Sequence, residues 1–178
     1  MPDNDEPGAD LVRRMRAEQR ELQEVVEAET EAIERSRRSL RDVALEHMHG
    51  GDLVRICVGR RAWTGEVVHV GAHLVSLQPA PGTEVDIALD RLTTLRVVAR
   101  GAPGGRSSKS PDPASLVARL RDLQRTGATA EFGGTTIDPS VTGVVVAVAP
   151  HHVEVQASDG SEWVLGLQSV DYVIRGGP

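Results

Sequence analysis

The sequence is poor in the residues that many functional classes require. Its 178 residues include one cysteine, one lysine and four aromatic residues. A single cysteine excludes an internal disulfide framework and any multi-cysteine zinc site. No apolar run approaches the roughly 18 residues of a membrane-spanning helix. The first ten residues, MPDNDEPGAD, are acidic where a signal peptide would be basic. We therefore expect a cytoplasmic protein that does not enter a membrane.

The charge balance argues against a protein built mainly to bind nucleic acid. Acidic residues outnumber basic ones by 26 to 20, and the formal net charge is −6. A protein that holds nucleic acid by electrostatics usually has the opposite balance. The excess is uneven, because residues 1–50 carry −5 whereas residues 51–100 carry six cations and five anions. Nucleic-acid binding therefore remains possible for the middle of the chain.

The N-terminal part of the sequence predicts a disordered tail over 1–9 and a long amphipathic helix over 10–49. Asp10 is a suitable N-cap, and Gly50-Gly51 supplies a stop. Apolar residues spaced by four and seven lie on one face, namely Leu11, Met15, Leu22, Val26, Ile33, Leu40 and Ala44. Polar residues interrupt that face at Glu18, Glu29 and Ser36. The helix either pairs with a second copy or stays mostly solvated and packs its C-terminal end on the next domain.

Beyond Asp52 the pattern becomes typical of β-strands. Short β-branched segments separated by turn residues predict five strands, at 53–58, 62–70, 73–78, 83–89 and 94–98. Five short strands are too few for a sandwich but can close into a small, strongly bent barrel. Gly65 stands where the second strand would bend. The sequence therefore predicts a first small β-barrel over 50–100.

The next segment, GAPGGRSSKSP at 101–111, has the composition of a linker. Asp112 then provides an N-cap and Pro113 a first helical residue, so a second helix is predicted over about 113–125. Its apolar face consists of Leu116, Val117, Leu120 and Leu123. Residues 112–178 are therefore predicted to form a short helix and a second small β-barrel.

The two predicted barrels share a sequence pattern. A shift of 78 residues aligns WTGEVVHVGAHLVSLQPAPGTE with VTGVVVAVAPHHVEVQASDGSE without a gap. Ten of the 21 positions from Thr64 to Glu84 are identical, and they include Gly65 with Gly143 and Gly82 with Gly160. This self-similarity predicts two copies of one module, each with a helix and five strands.

The segment VRICVGRRAWTGEVVHVGAHLVSLQ resembles the first motif of Sm proteins, and IALDRLTTLRVV resembles the second. The resemblance implies tandem five-stranded Sm-like or SH3-like barrels, mostly β with helices, in a family that forms rings and binds RNA. The family's RNA pocket uses an Asp- or Asn-bearing turn and an Arg-Gly pair. The corresponding turn here reads Val70-Gly71-Ala72-His73, so the fold is transferred and the RNA site is not.

The overall layout also resembles a group of uncharacterised proteins from high-GC bacteria, some of them labelled as Fis-like transcription regulators. A helix-turn-helix requires two helices separated by three or four residues. Neither predicted helix has such a neighbour. The sequence therefore does not support a helix-turn-helix regulator.

The best candidate for a nucleic-acid contact is the group Arg60, Arg61 and Trp63. Guanidinium groups bind phosphates, and an indole can stack on a base. The alternative is that Trp63 is a hydrophobic residue at the barrel rim and that the arginines solubilise a turn. The second copy has Asp138-Pro139 and Val141 at these places, so such a site would not be duplicated.

The sequence favours neither a metal site nor an active site. The six histidines are spread along the chain, and His73 and His151 occupy equivalent positions, which suggests a repeated turn role. Cys57 lies within an apolar strand pattern, which indicates an inert thiol. No nucleophile motif or phosphate-binding loop is present. We expect no metal, no cofactor and no catalytic residues.

Two functional hypotheses follow. The first is a non-enzymatic interaction or scaffold protein, which would bind a protein partner or a second copy through the barrel edges and the N-terminal helix. The alternative is a nucleic-acid-binding regulatory protein that uses Arg60, Arg61 and Trp63 on RNA or DNA.

Overall fold

A computed structural model describes residues 7–101 and 113–176 of the chain. The chain divides into two compact units, Met1–Ser39 and Leu40–Pro178. The first unit contains helix α1, Pro7–Arg37. The predicted tail over 1–9 lies largely outside the described residues, and its last three residues belong to α1.

The prediction of one continuous helix over 10–49 is wrong. Helix α1 ends at Arg37, and a second helix, α2, spans Leu40–Gly50. Ser39 immediately precedes α2, at a position where serine favours a new helix start over continuation. Helix α2 ends in the predicted place, because Gly51 adopts a left-handed φ of 62°. Helix α1 starts at Pro7 rather than beside Asp10, in keeping with the tolerance of first-turn positions for proline.

The first five strands lie within two residues of their predicted bounds. They are β1 Leu53–Val58, β2 Arg61–Val70, β3 Leu74–Ala80, β4 Thr83–Ala88 and β5 Thr94–Ala99. A short 3-10 helix, Leu89–Arg91, connects β4 to β5. Inward and outward side chains alternate along β1, as the period-two sequence pattern requires.

The second half repeats this order of elements. Helix α3 spans Leu116–Thr126 and is followed by β6 Thr129–Gly134, β7 Ile137–Val148, β8 His152–Ala157, β9 Glu162–Gly166 and β10 Tyr172–Arg175. A 3-10 helix at Leu167–Ser169 lies 78 residues after the first one. Helix α3 starts later than predicted, because Ser115 is its N-cap and accepts a 3.2 Å hydrogen bond from the Ala118 amide. The predicted cap Asp112 and the predicted linker, apart from Gly101, lie outside the described residues.

The prediction of two closed barrels is also wrong. The ten strands of the described residues form one open antiparallel sheet in the order β5-β1-β2-β3-β4-β10-β6-β7-β8-β9. The last strand, β10, pairs with β4 on one side and with β6 on the other. The sheet therefore continues from one half into the other. The two hypothesised barrels are connected segments of a single sheet, flanked by short helices.

Two hydrophobic clusters hold the sheet unit together. One contains α2 residues with β1–β4, and the other contains α3 residues with β6–β9. Each half contributes a side chain to the cluster of the other half. Tyr172 of β10 belongs to the first cluster, and Leu74 of β3 belongs to the second. Close strand approach requires Gly65 and Gly143, where an added Cβ would collide with the carbonyl oxygens of Gln78 and Gln156.

Candidate functional site

The β1–β2 turn and the β6–β7 turn enclose a cleft of about 420 Å³. Arg60 and Arg61 form part of one wall, and Asp138 and Ser140 part of the other. Tyr172 of β10 also lines the cleft and connects the two halves of the sheet. Two of the three residues predicted to contact nucleic acid therefore border this cleft.

The two arginines of the cleft are weakly neutralised. Both are exposed, and Arg61 Nη2 lies 3.8 Å from Glu131 Oε1. An exposed pair at that distance contributes little stability. Within the described ranges, Arg60 forms no ion pair. The cleft wall thus presents positive charge toward solvent, with Asp138 as a nearby negative charge.

Trp63 is placed differently from the arginines. Its ring meets Tyr172 edge to face, with centroids 4.7 Å apart and planes at 64°. Trp63 is partly buried and packs on the first hydrophobic cluster. Burial raises the pKa of the Tyr172 hydroxyl, and the nearby Arg61 guanidinium partly opposes that rise. A ring held in this way favours the interpretation of Trp63 as a hydrophobic residue at the edge of the core.

A buried polar cluster joins β4 to β10, and sequence reasoning missed it. Asp86 is fully buried, and its Oδ1 accepts a 2.5 Å hydrogen bond from Ser76 Oγ. Its Oδ2 accepts a 2.5 Å bond from Arg175 Nε and lies 3.0 Å from Arg119 Nε of α3. Arg175 also contacts Glu84. We call Asp86, Ser76, Arg119, Arg175 and Glu84 the polar joint.

The only sequence signal for the polar joint is an aspartate in the apolar run of β4. Position 86 corresponds to Val164 under the 78-residue shift, so the charge is not part of the shared pattern. Because Arg175 lies 89 residues from Asp86 along the chain, no local pattern predicts their contact. The joint fixes β10 against β4 by charge pairing in addition to backbone hydrogen bonds.

Two strands end the sheet, and each has one paired edge among the described residues. Strand β5 pairs with β1, and β9 pairs with β8. Strand β9 carries two exposed apolar side chains, Trp163 at 40% and Val164 at 69% exposure. They line a hollow of about 130 Å³ that also includes Val146. An exposed edge with apolar side chains is a typical site for strand addition.

The remaining candidate groups are held in local structural roles. In the part of the chain that the structure describes, no three His, Cys, Asp or Glu side chains lie close enough to bind a metal ion. His47 Nδ1 lies 2.8 Å from Asp52 Oδ2, and His69 Nε2 lies 3.1 Å from the Pro113 carbonyl oxygen. Cys57 is half-buried, with a free thiol.

Asp52 anchors the end of the first half. Its Oδ1 accepts a 2.9 Å hydrogen bond from the Gly101 amide, and its Oδ2 contacts His47 and Arg100. The Gly101 amide, followed by His47, holds the pKa of Asp52 below its usual value, against the opposing effect of burial. This network closes the α2–β1 turn onto the segment that follows β5.

Comparison with known proteins does not assign the chain to a family. No protein-family model matches the chain, and no curated protein gives a significant match. Among the described residues, no helix has the length and apolar character needed to cross a membrane.

Proposed function

We propose that the protein is a non-enzymatic scaffold whose copies join head to tail, the β9 edge of one copy pairing with the β5 edge of the next. The proposal treats the two halves of the sheet as copies of one module. The observation that carries it is the antiparallel pairing of β4 with β10 inside the chain. Under the 78-residue shift, β9 corresponds to β4, and β5 corresponds to β10.

The internal pairing supplies a register for the contact between chains. Tyr172 pairs with Ile87, Val173 with Asp86, Ile174 with Val85 and Arg175 with Glu84. The shift converts these pairs into Thr94 with Leu165, Leu95 with Val164, Arg96 with Trp163 and Val97 with Glu162. Four residues on each edge would then be paired, and alternate pairs would exchange backbone hydrogen bonds.

The side chains on these edges suit such a contact. Val164 would lose its exposure to water opposite Leu95, which is itself half-buried. Arg96 would lie opposite Trp163, where a guanidinium and an indole ring attract each other. The position of Asp86 is taken by Val164, so pairing between chains would bury no aspartate. The contact between chains would bury Val164 where the contact within the chain buries Asp86. No charged side chain would then have to lose its water at that position.

This proposal is tested by sedimentation velocity over a range of protein concentrations. Val164→Lys places a charge on the free edge of β9, and we expect it to abolish the concentration-dependent growth of assemblies beyond a dimer. Val146→Lys is the matched control, because Val146 is similarly exposed but lies on β7, which is paired on both sides. Equal assembly of Val164→Lys and wild type would refute the proposal.

A mixing experiment tests the polarity of the contact. Arg96→Glu alters the β5 edge at an exposed site and leaves β9 intact. We expect neither Val164→Lys nor Arg96→Glu to assemble through its edges alone. Mixed together, they retain one intact edge of each kind and should form one edge contact per pair of chains. A mixture that behaves as the sum of its components would contradict head-to-tail pairing.

Nucleic-acid binding is the second candidate, and the weakly neutralised arginines favour it. In addition to Arg60 and Arg61, Arg55 of β1 lies directly opposite Arg96 of β5, and both are exposed. Like charges in a cross-strand pair repel each other, and a phosphate between them would relieve that repulsion. Trp63 contributes less to this function than its sequence position suggests, because its ring packs against Tyr172.

Fluorescence anisotropy with labelled single-stranded RNA and duplex DNA tests this alternative. Binding through phosphates should weaken steeply between about 50 and 200 mM salt. The double variant Arg60→Glu/Arg61→Glu should reduce affinity at least 10-fold, whereas Arg125→Glu on the exposed side of α3 should not. Absence of binding at the lower salt concentration would eliminate this function.

A further inference from the structure

We propose that two copies of the chain associate through α1 as a parallel, in-register coiled-coil dimer. This inference concerns the first compact unit and does not depend on strand pairing by the sheet. The partner is a second copy of the chain. The observation that motivates it is an exposed apolar face on a 31-residue helix.

Five large apolar side chains of α1 are more than half exposed. Their exposed fractions lie between 52% and 65%, and they are Met15, Leu22, Val25, Val26 and Ile33. A helix of 31 residues is about 46 Å long, and such a helix gains most of its stability from packing of its apolar face. An exposed apolar face that runs from Met15 to Ile33, interrupted by Gln19 and Glu29, favours a partner of similar length.

The spacing of these side chains fits a heptad. Met15, Leu22, Glu29 and Ser36 occupy successive d positions, and Gln19, Val26 and Ile33 occupy a positions. Val25 is at the adjacent g position and widens the seam. β-Branched residues at a with leucine at d favour a two-stranded parallel coiled coil. The face is therefore self-complementary in one register.

The flanking charges permit this register. Across a parallel pair, each g residue meets the e residue five positions later on the other helix. Glu18 then faces Gln23, Val25 faces Thr30, and Ala32 faces Arg37. No like charges meet at these positions. Gln19 would lie opposite its own copy within the seam, where the two amides can hydrogen-bond and fix the register.

Glu29 is the residue that weakens the proposed dimer. At a d position the two Glu29 carboxylates would approach each other across the seam, and like charges in a coiled-coil core oppose association. The proposal therefore predicts that Glu29→Leu tightens the dimer. Leucine at that position would strengthen any association through this face, so the orientation is tested separately.

Disulfide crosslinking in the full chain tests the orientation. Cys57→Ala removes the only cysteine, and single cysteines are then introduced at Met15, Leu22, Val26 or Ile33. In a parallel, in-register dimer all four sites oppose their own copies and should form disulfide-linked dimers under mild oxidation. Glu24→Cys, on the opposite side of the helix, is the control and should crosslink at most weakly. Crosslinking at central sites only would indicate antiparallel pairing and overturn the proposal.

Sedimentation equilibrium of the full chain tests the association itself. Val26→Asp/Ile33→Asp should raise the dimer dissociation constant more than 100-fold, whereas Ala28→Asp, outside the seam, should change it less than 3-fold. Glu29→Leu should lower the constant at least 10-fold, and an unchanged value would overturn the register. These measurements use the Val164→Lys background, in which edge pairing is removed, so that failure of one proposal is distinguishable from failure of the other. A monomer in that background at all concentrations would refute the α1 dimer.

Discussion

Removal of the Asp86 carboxylate should destabilise the sheet unit more than loss of any exposed charge. The carboxylate is fully buried, accepts hydrogen bonds from Ser76 and Arg175, and forms an ion pair with Arg119. In Asp86→Ala, the Arg119 guanidinium remains, with 3% of its side chain exposed, and loses its closest counter-ion. The effect should appear as a loss of unfolding free energy, because the unfolded chain solvates both arginines.

The magnitude follows from the cost of removing the closest partner of a buried charge, since Arg119 would keep Asp122 at 3.7 Å. Breaking a buried ion pair by removing one partner costs about 3–5 kcal/mol. Arg175 loses less electrostatic stabilisation than Arg119, because it is partly exposed and keeps its contact with Glu84. With an m-value of about 2 kcal/mol per M urea, the unfolding midpoint of Asp86→Ala should fall by about 1.5–2.5 M.

Urea denaturation followed by circular dichroism provides the measurement. Glu84→Ala is the control, because Glu84 is a partly exposed member of the same joint and its loss should cost no more than about 1 kcal/mol. Asp86→Val/Arg119→Leu removes both charges and should recover most of the stability that Asp86→Ala loses. A loss below about 1 kcal/mol in Asp86→Ala, or no recovery in the double variant, would refute the assignment of a buried ion pair.

Three further predictions concern the stability of the sheet unit. Folding lowers the pKa of Asp52. Its contribution to the unfolding free energy is therefore present above the unfolded pKa of about 3.9 and is lost as pH falls through the folded value. The difference in unfolding free energy between wild type and Asp52→Asn should be constant above about pH 5 and shrink below about pH 4. Ser115→Ala removes the α3 N-cap and should cost about 1 kcal/mol in urea unfolding, whereas Ser115→Asp, which keeps a capping oxygen, should not. Leu120→Ala creates a cavity at a fully buried site and should lower the unfolding free energy by about 2–5 kcal/mol. Leu22→Ala, at an exposed site of α1, should lower it by less than about 0.5 kcal/mol in the absence of dimerisation.

The strands and turns could be predicted because their signals are local. Alternation in β1 sets which side chains are buried, and Gly51 and Gly127 end helices at left-handed positions that few other residues adopt. The break after Arg37 was missed because the sequence around it contains no proline or glycine. The periodic apolar face continues across that break, so periodicity alone predicts one helix where the structure has two.

The candidate cleft was predicted only in part. Arg60 and Arg61 are neighbours in sequence and follow a turn glycine, so their exposure beside a turn could be anticipated. Their position opposite Asp138 and Ser140 could not, because the β1–β2 and β6–β7 turns are brought together by long-range pairing. Tyr172, on the strand that joins the two halves, packs against Trp63 and holds the indole at the edge of the core.

The sequence by itself determined the bounds of the first five strands to within two residues and the turns between them. Only the tertiary structure decided that these strands form one open sheet. Period-two alternation is the same in a closed barrel and in a continuous sheet, since both bury one face of each strand. The choice depends on which edge β10 pairs with, and its pairing with β4 joins segments far apart in the chain. The ion pairs of Asp86 with Arg119 and Arg175 form only when the two halves meet, because Asp86 belongs to the first half and both arginines to the second.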